Sequence, residues 1–206
     1  LKTTLDLWEP LIYGFDVHPE FVKAARIRLL LLAMHRCQTV GDFDEKIINK
    51  VFGNIKVGNS LLTLDSIRKC DNIIINPPYS PIKAPKECTW AKGNVSSAAV
   101  FMDKCISVAT DKSKISAILP DVLRTGSRYS RWRKHISSLA KIEKVTIIGQ
   151  FDKWADVDVF LLNLSVKKNS DNKTSWAIPQ INKNATRIKD LFFVNVGAVV
   201  PHRDEE

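Results

Sequence analysis

The chain has 206 residues, of which 45% are hydrophobic and 26% are charged, and this balance is ordinary for one globular domain with its own core. The net charge of +9 favours a polyanionic partner such as nucleic acid. The longest apolar run, residues 27–34, is interrupted by Arg28 and is much shorter than the roughly 20 residues that cross a bilayer. We therefore expect no membrane span and no signal peptide.

The spacing of the cysteines bears on metal binding and redox state. Cys37, Cys70, Cys88 and Cys105 include no C-x-x-C pair and have no histidine partner at metal-ligand spacing. The sequence therefore predicts neither a metal site nor a disulfide framework. A reduced, cytoplasmic protein is the simplest interpretation.

Short apolar runs alternate with segments of helical periodicity, which is typical of parallel strand–helix–strand units. Strands are predicted at residues 11–15, 54–57, 72–75 and 114–119, and helices at about residues 18–35, 101–109 and 129–139. Two further strands, at residues 145–149 and 157–166, follow each other without a helix between them, so we expect them to be antiparallel. The pattern predicts an α/β fold whose last strand is antiparallel.

The composition changes after residue 166. Residues 167–184 are rich in Lys, Asn and Ser around a single Trp176, which is typical of a surface excursion or a linker. Residues 192–206 begin a pattern that they do not complete. We therefore divide the chain into a main domain at residues 1–166 and a polar excursion with a junction at residues 167–206.

Residues that follow strands are candidates for a site, because ligands of open parallel α/β sheets bind beyond the carboxyl ends of the strands. Asp16 follows the first strand, where a carboxylate can accept hydrogen bonds from ribose hydroxyls. A helix-capping role before His18-Pro19 is the alternative. Asn59 and Ser60 follow the second strand, where an amide can pair with an adenine edge, and a simple Gly-Asn turn is the alternative.

The tetrapeptide Asn76-Pro77-Pro78-Tyr79 directly follows the third strand. At average composition it would occur by chance in only about one chain in a thousand of this length. Two successive prolines fix two φ angles, so the loop holds its carbonyl groups rigidly. This rigidity indicates a function beyond turning the chain.

The same loop provides what methylation of an exocyclic amine requires. The lone pair of such an amine is delocalised into the base, so an enzyme must hold both amine hydrogens while the nitrogen becomes tetrahedral. The side-chain oxygen of Asn76 and the backbone oxygen of Pro77 are two suitable acceptors. Tyr79 offers an aromatic face to a base that has left the duplex, and such stacking contributes about 1–3 kcal/mol.

These motifs resemble those of the N6-adenine DNA methyltransferases of restriction-modification systems. The resemblance covers roughly residues 11–166 and implies a Rossmann-like, S-adenosylmethionine-dependent methyltransferase fold with a mostly parallel sheet. It implies a catalytic loop made of Asn76, Pro77, Pro78 and Tyr79. It also implies contacts with the cofactor S-adenosyl-L-methionine from Asp16, Val17, Asn59, Ser60 and Phe101.

A second aromatic loop and a basic segment fit the same family. Phe151 lies where relatives place an aromatic ring that stacks on the flipped base opposite Tyr79, and Trp154 is the alternative. A basic segment is expected near the DNA backbone, with a solvated helix face as the alternative; it comprises Arg124, Arg128, Arg131, Arg133 and Lys134. The implied partners are double-stranded DNA and either a specificity subunit or fused recognition and nuclease domains, with residues 167–206 as the junction.

The chain departs from the family in one motif. A glycine-rich loop, Asp-Pro-x-x-Gly-x-Gly, should precede Asp16 by one strand and one helix, and no residue before Asp16 fits it. We expect that this part is missing, because Leu5, Leu7 and Trp8 fit the end of the helix that would follow such a loop. Three other functions stay open: methylation of glutamine in release factors, methylation of guanine N2 in RNA, and a degenerate methyltransferase fold that only binds DNA.

Overall fold

The computed structural model describes residues 1–39, 45–62, 64–167 and 176. Leu1–Trp176 form one compact unit. Most of the predicted polar excursion, residues 168–175 and 177–206, lies outside the described residues, so the boundary at residue 166 stays a prediction. No described helix is long and apolar enough to span a membrane.

Helices and strands alternate along most of the chain, as the sequence predicts. The helices are α1 (Lys2–Trp8), α2 (Pro19–Cys37), α3 (Glu45–Lys50), α4 (Ser97–Val108), α5 (Val122–Thr125) and α6 (Ser130–Leu139). The strands are β1 (Gly14–Asp16), β2 (Ile55–Val57), β3 (Asn72–Ile75), β4 (Pro81–Lys83), β5 (Asn94–Ser96), β6 (Lys114–Pro120), β7 (Ala140–Asp152) and β8 (Ala155–Val166). Short 3₁₀ helices occupy Leu64–Lys69 and Ser127–Tyr129.

Four strands form a mixed sheet in the order β3–β6–β8–β7. β3 and β6 are parallel, whereas β8 runs antiparallel to both of its neighbours, β6 and β7. β1 and β2 form a separate parallel pair, and β4 and β5 form a small antiparallel hairpin. The α/β class and the antiparallel last strand are therefore seen, but the sheet is mixed rather than mostly parallel, because β8 lies between β6 and β7.

Helix α2 shows how the sequence sets a boundary. Pro19 stands in its first turn, where a missing N–H costs nothing, and Gln38 ends the helix in the left-handed region with φ of 51°. One face of α2 packs Val22 and Leu30 onto Phe52 and Ile55, which form a small core beside β1 and β2. This small core positions the turn that follows Asp16.

A larger core joins the four-stranded sheet to α4 and α6. Trp132 of α6 is fully buried, and its indole N–H donates a hydrogen bond to the Ala99 carbonyl of α4 at 3.1 Å. Trp176 packs on Trp132 with ring centroids 5.5 Å apart, so this residue of the predicted excursion belongs to the core edge. The Asn-Pro-Pro-Tyr loop therefore lies next to the larger core, against which Tyr79 packs.

Two features were not predicted from the sequence. The β4–β5 hairpin follows the Asn-Pro-Pro-Tyr loop directly, where no strand was expected. β7 begins at Ala140 rather than near residue 145, because Ala140 and Ile142 are buried while Lys and Glu alternate with them. Register shifts along β7 interrupt its alternation and hide the strand from a simple periodicity argument.

Candidate catalytic site

The Asn76-Pro77-Pro78-Tyr79 loop begins at the carboxyl end of β3. Because β3 and β6 are parallel, this loop and the end of β6 meet at the same edge of the sheet. The Asn76 side chain is exposed there, whereas Pro77 is buried. An amide oxygen is therefore presented to solvent on a backbone that the fold holds in place.

Tyr79 is half-buried, and its hydroxyl lies between two acceptors. The hydroxyl oxygen is 3.2 Å from Asn76 Oδ1 and 3.3 Å from the Ile118 carbonyl oxygen of β6. A phenol has one hydrogen, so it donates to only one of them at a time. Both distances exceed the usual O–H···O distance of about 2.7–2.8 Å, so these hydrogen bonds are weak. Burial raises the pKa of the Tyr79 hydroxyl, which keeps it protonated at neutral pH.

The structure brings the two aromatic residues of the predicted base-stacking pair together. The ring centroids of Tyr79 and Phe151 are 6.5 Å apart, and the ring planes meet at 81°. This is an edge-to-face contact, so one ring must turn before a base can lie flat against both. Trp154, the alternative, is 84% exposed at the turn between β7 and β8, with Lys153 Nζ 4.9 Å from the ring centroid.

The loop is also held from α4 by a residue that the sequence did not single out. The Ser97 hydroxyl donates a hydrogen bond to the Pro78 carbonyl, and the Ser97 N–H donates to the Ser80 carbonyl at 2.9 Å. The neighbouring Ser96 N–H donates to the Tyr129 hydroxyl oxygen at 2.9 Å. A serine at a helix start is usually interpreted as a cap, so the sequence carried no signal for this contact.

Asp16 and Asn59 lie at the same edge of the β1–β2 pair. Asp16 Oδ1 accepts a hydrogen bond from the His18 N–H at 2.8 Å, and Asn59 Oδ1 accepts one from the Leu61 N–H at 3.0 Å. The Gly58 N–H donates to the Asp16 carbonyl at 2.8 Å, which holds the two turns side by side. Asn59 therefore makes the turn that the sequence offered as its alternative. Asp16 makes a local turn as well, but the residue that caps α2 is His18 and not Asp16.

The remaining predicted cofactor residues, Val17, Ser60 and Phe101, lie in different segments of the chain. Val17 is 58% exposed beside Asp16, and Ser60 is half-buried in the turn after β2. Phe101 is half-buried on α4, one helical turn after Ser97 and on the same helix face. The structure thus places Phe101 on the helix that holds the catalytic loop, and Asp16 and Asn59 on the β1–β2 pair.

The basic segment divides into held and exposed side chains. Arg124 makes a two-pronged ion pair with Asp121, with N–O distances of 2.6 and 3.1 Å. Arg133 donates to the Leu123 and Gly126 carbonyls at 2.9 Å, and burial lowers its pKa. Arg128 donates to the Asn94 carbonyl but is exposed, as are Arg131 and Lys134. Within the basic segment, the exposed cations are therefore Arg128, Arg131 and Lys134.

A polar cluster on another face of α4 was missed because its members are far apart in the sequence. Asp103 accepts hydrogen bonds from the Trp90 indole at 2.7 Å and pairs with His135 Nε2 at 2.8 Å. The cluster lines a cavity of about 340 Å³. Within the described residues, no group of three or more His, Cys, Asp or Glu is placed to hold a metal ion, and all four cysteines are free thiols.

Residues 11–154 match the Eco57I restriction-modification methylase family. The chain belongs to this family. The matched segment contains the β1–β2 turns, the Asn-Pro-Pro-Tyr loop, the basic segment and Phe151. No curated protein matches the sequence of this chain.

Two solved structures have a similar fold. The chain aligns with the M protein of the type I restriction enzyme EcoKI at a TM-score of 0.56 and 16% identity, covering 78% of this chain and 32% of that protein. It aligns with the type IIG restriction endonuclease BpuSI at a TM-score of 0.55 and 18% identity, covering 77% of this chain and 20% of that protein. The chain has the fold of restriction-modification methyltransferases and spans a third or less of these two proteins.

Proposed function

We propose that this chain transfers a methyl group from S-adenosylmethionine to the N6 amine of a flipped adenine in DNA, as part of a restriction-modification system. The observation that carries the proposal is the Asn76-Pro77-Pro78-Tyr79 loop at the carboxyl end of β3, with the Tyr79 ring beside Phe151. The membership of the family supports a methyltransferase of a restriction-modification system.

The acceptor amine would be held by this loop. Asn76 Oδ1 and the Pro77 carbonyl oxygen accept its two hydrogens, which favours the tetrahedral nitrogen of the transition state over the flat ground state. The substrate amine must take the place of the Tyr79 hydroxyl at Asn76 Oδ1, and this exchange costs little because the existing bond is 3.2 Å long. The faces of Tyr79 and Phe151 hold the base by stacking.

The cofactor would lie along the edge of the β1–β2 pair. Asp16 supplies a carboxylate for the ribose hydroxyls, Asn59 and Ser60 supply polar groups for the adenine edge, and Val17 and Phe101 supply apolar contacts. These side chains suit the cofactor, because the Gly58 N–H to Asp16 carbonyl hydrogen bond holds the turns of Asp16 and Asn59 side by side. S-adenosylmethionine, when bound, supplies an electrophilic methyl group on a sulfonium.

Duplex DNA is the proposed partner, and the exposed cations Arg128, Arg131 and Lys134 are the proposed backbone contacts. A specificity subunit or fused recognition and nuclease domains would choose the DNA sequence, and residues 167–206 would lead to them. Adenine is favoured over cytosine because the loop opens with Asn76, whereas related enzymes that methylate cytosine N4 more often open it with serine.

The test is to identify the methylated product. The protein that contains this chain is incubated with isotopically labelled S-adenosylmethionine and duplex DNA, and the nucleosides are then analysed by mass spectrometry. We expect label in N6-methyladenine. Parallel reactions with RNA and with a release factor test the other acceptors. Label in N4-methylcytosine, in N2-methylguanine or only in protein would contradict the proposal and identify a different methyl acceptor.

A further inference from the structure

Ser97, the first residue of α4, holds the backbone on both sides of Tyr79. Its hydroxyl donates to the Pro78 carbonyl, which precedes Tyr79, and its N–H donates to the Ser80 carbonyl, which follows it. The side chain is 2% exposed and is separated from Pro78 by nineteen residues of sequence. Ser97 of α4 therefore makes one hydrogen bond to the residue before Tyr79 and one to the residue after it. We call this pair of hydrogen bonds the bracket.

The bracket supplies the restraint that the two prolines lack. The pyrrolidine rings fix φ at Pro77 and Pro78, and the ring of Pro78 also restricts ψ of Pro77, but ψ of Pro78 stays free. Rotation about ψ of Pro78 turns its carbonyl, and with it the peptide that carries Tyr79. A hydrogen bond from Ser97 to that carbonyl stops this rotation, so the direction of the Tyr79 ring depends on α4.

Ser97 is itself fixed by the core. Ala98 and Ala99 follow it and are fully buried, and the Ala99 carbonyl accepts the Trp132 indole N–H. On the other side, Ser96 is tied to the buried Tyr129 through its N–H. The position of the Ser97 hydroxyl is therefore set by the best-packed part of the molecule, which is what preorganisation of a site requires.

We infer that Ser97 is a positioning residue for methyl transfer: by bracketing Tyr79 it holds the Tyr79 ring in the geometry that receives the acceptor base. This role rests on the proposed function. Ser97 does not contact the reacting atoms in this scheme; it acts through the Pro78 and Ser80 carbonyls. Phe101, one turn later on the same face of α4, ties the proposed cofactor contact to the same helix.

The removal of the hydroxyl should loosen the loop without unfolding the protein. Pro78 is exposed, so after Ser97→Ala its carbonyl can turn to water instead of staying buried and unpaired. The melting temperature should therefore fall by no more than about 3 °C. Turnover should fall by about tenfold with an unchanged KM for the cofactor, because a misplaced acceptor weakens only the transition state. The turnover of Ser97→Cys, whose S–H is a weak donor, should lie between those of Ser97→Ala and the unmodified protein.

Ser96→Ala is the matched control. Ser96 is the neighbouring residue, is 8% exposed, and within the described residues its hydroxyl has no hydrogen-bond partner. Loss of that hydroxyl should leave both the loop and the turnover as they are in the unmodified protein. A fall in turnover equal to that of Ser97→Ala would show that any change at the start of α4 is harmful, and it would overturn the inference.

Hydrogen exchange tests the positioning without any activity. Between residues 76 and 80 only Asn76, Tyr79 and Ser80 carry an amide hydrogen, so mass spectrometry of a peptide over this loop reports on few sites. We expect faster exchange in Ser97→Ala and none of this change in Ser96→Ala. Unchanged exchange in Ser97→Ala would overturn the inference, as would faster exchange with unchanged turnover. If Ser97→Ala exchanges faster but the unmodified protein methylates no DNA, the proposed function is wrong, whereas the two hydrogen bonds of Ser97 still hold the loop.

Discussion

The two edges that carry the proposed site differ in how their side chains are held. At the catalytic loop, Tyr79 reaches Ile118 across 39 residues of sequence, and Ser97 reaches Pro78 across 19. At the β1–β2 edge, Asp16 and Asn59 bond to N–H groups only two residues further along the chain. Contacts between distant elements therefore hold the Asn-Pro-Pro-Tyr loop, whereas local turns hold the side chains of Asp16 and Asn59.

The two edges also differ in the size of the core beneath them. The core beneath the catalytic loop contains fully buried residues as large as Trp132 and Phe160. Around β1 and α2, by contrast, Val17 and Phe21 are both more than half exposed. The proposed acceptor half of the site, around the Asn-Pro-Pro-Tyr loop, therefore rests on the larger core, and the proposed donor half, around Asp16 and Asn59, rests on the smaller one.

A large effect at the acceptor half is expected from removal of the Tyr79 ring. Tyr79→Ala should lower kcat/KM for DNA by about 5- to 150-fold, because one stacking surface of about 1–3 kcal/mol is removed. Tyr79→Phe should stay within about threefold of the unmodified protein, since the hydroxyl makes only long hydrogen bonds. Steady-state kinetics with duplex DNA decide the matter, and equal losses in both variants would assign the role to the hydroxyl instead of the ring face.

The packing of the acceptor half is tested through Asp103. Asp103→Ala leaves the Trp90 indole N–H, in a residue only 4% exposed, without its acceptor. The free energy of unfolding should fall by about 2 kcal/mol, which lowers the melting temperature by about 4–8 °C. Asp111→Ala, an exposed position just after α4, is the control for calorimetry. Equal stability of the two variants would show that the cluster does not brace α4.

The cations that we propose to contact DNA are expected to have the smallest effect. Replacement of Arg131 and Lys134 by glutamine should reduce the slope of log K against log salt by about 0.9 for each phosphate that the protein no longer neutralises. Arg68 and Lys69, the same two residue types in the 3₁₀ helix before β3, provide the control pair. A salt titration of DNA binding in which both pairs behave alike would remove the basic segment from the interface.

The sequence predicted the elements whose signals are local. The bounds of β3 were predicted residue for residue, and α2 was placed to within two residues at its end. The assignment of the Asn-Pro-Pro-Tyr loop as the centre of the site stays a prediction. The role of Ser97 and the Trp90–Asp103–His135 cluster were not predicted, because they depend on which distant elements meet. The division of the basic segment was also missed, although the partners are close in the sequence: Arg124 pairs with Asp121, and Arg133 donates to the Leu123 and Gly126 carbonyls.

The proposed division of the site is that the Asn76 loop acts in methyl transfer and the Asp16 edge binds the cofactor. One pair of variants tests it most directly, when cofactor affinity and turnover are both measured in the protein that contains this chain. Asn76→Ala should lower kcat by about a hundredfold and leave the cofactor Kd unchanged, because the missing acceptor acts in the transition state. Asp16→Ala should raise the cofactor Kd by about tenfold or more, since a charged hydrogen-bond acceptor for the ribose is removed. Asn72→Ala, at the opposite end of β3, serves as the control. A loss of cofactor affinity in Asn76→Ala, or an unchanged Kd in Asp16→Ala, would contradict the assignment of the two edges.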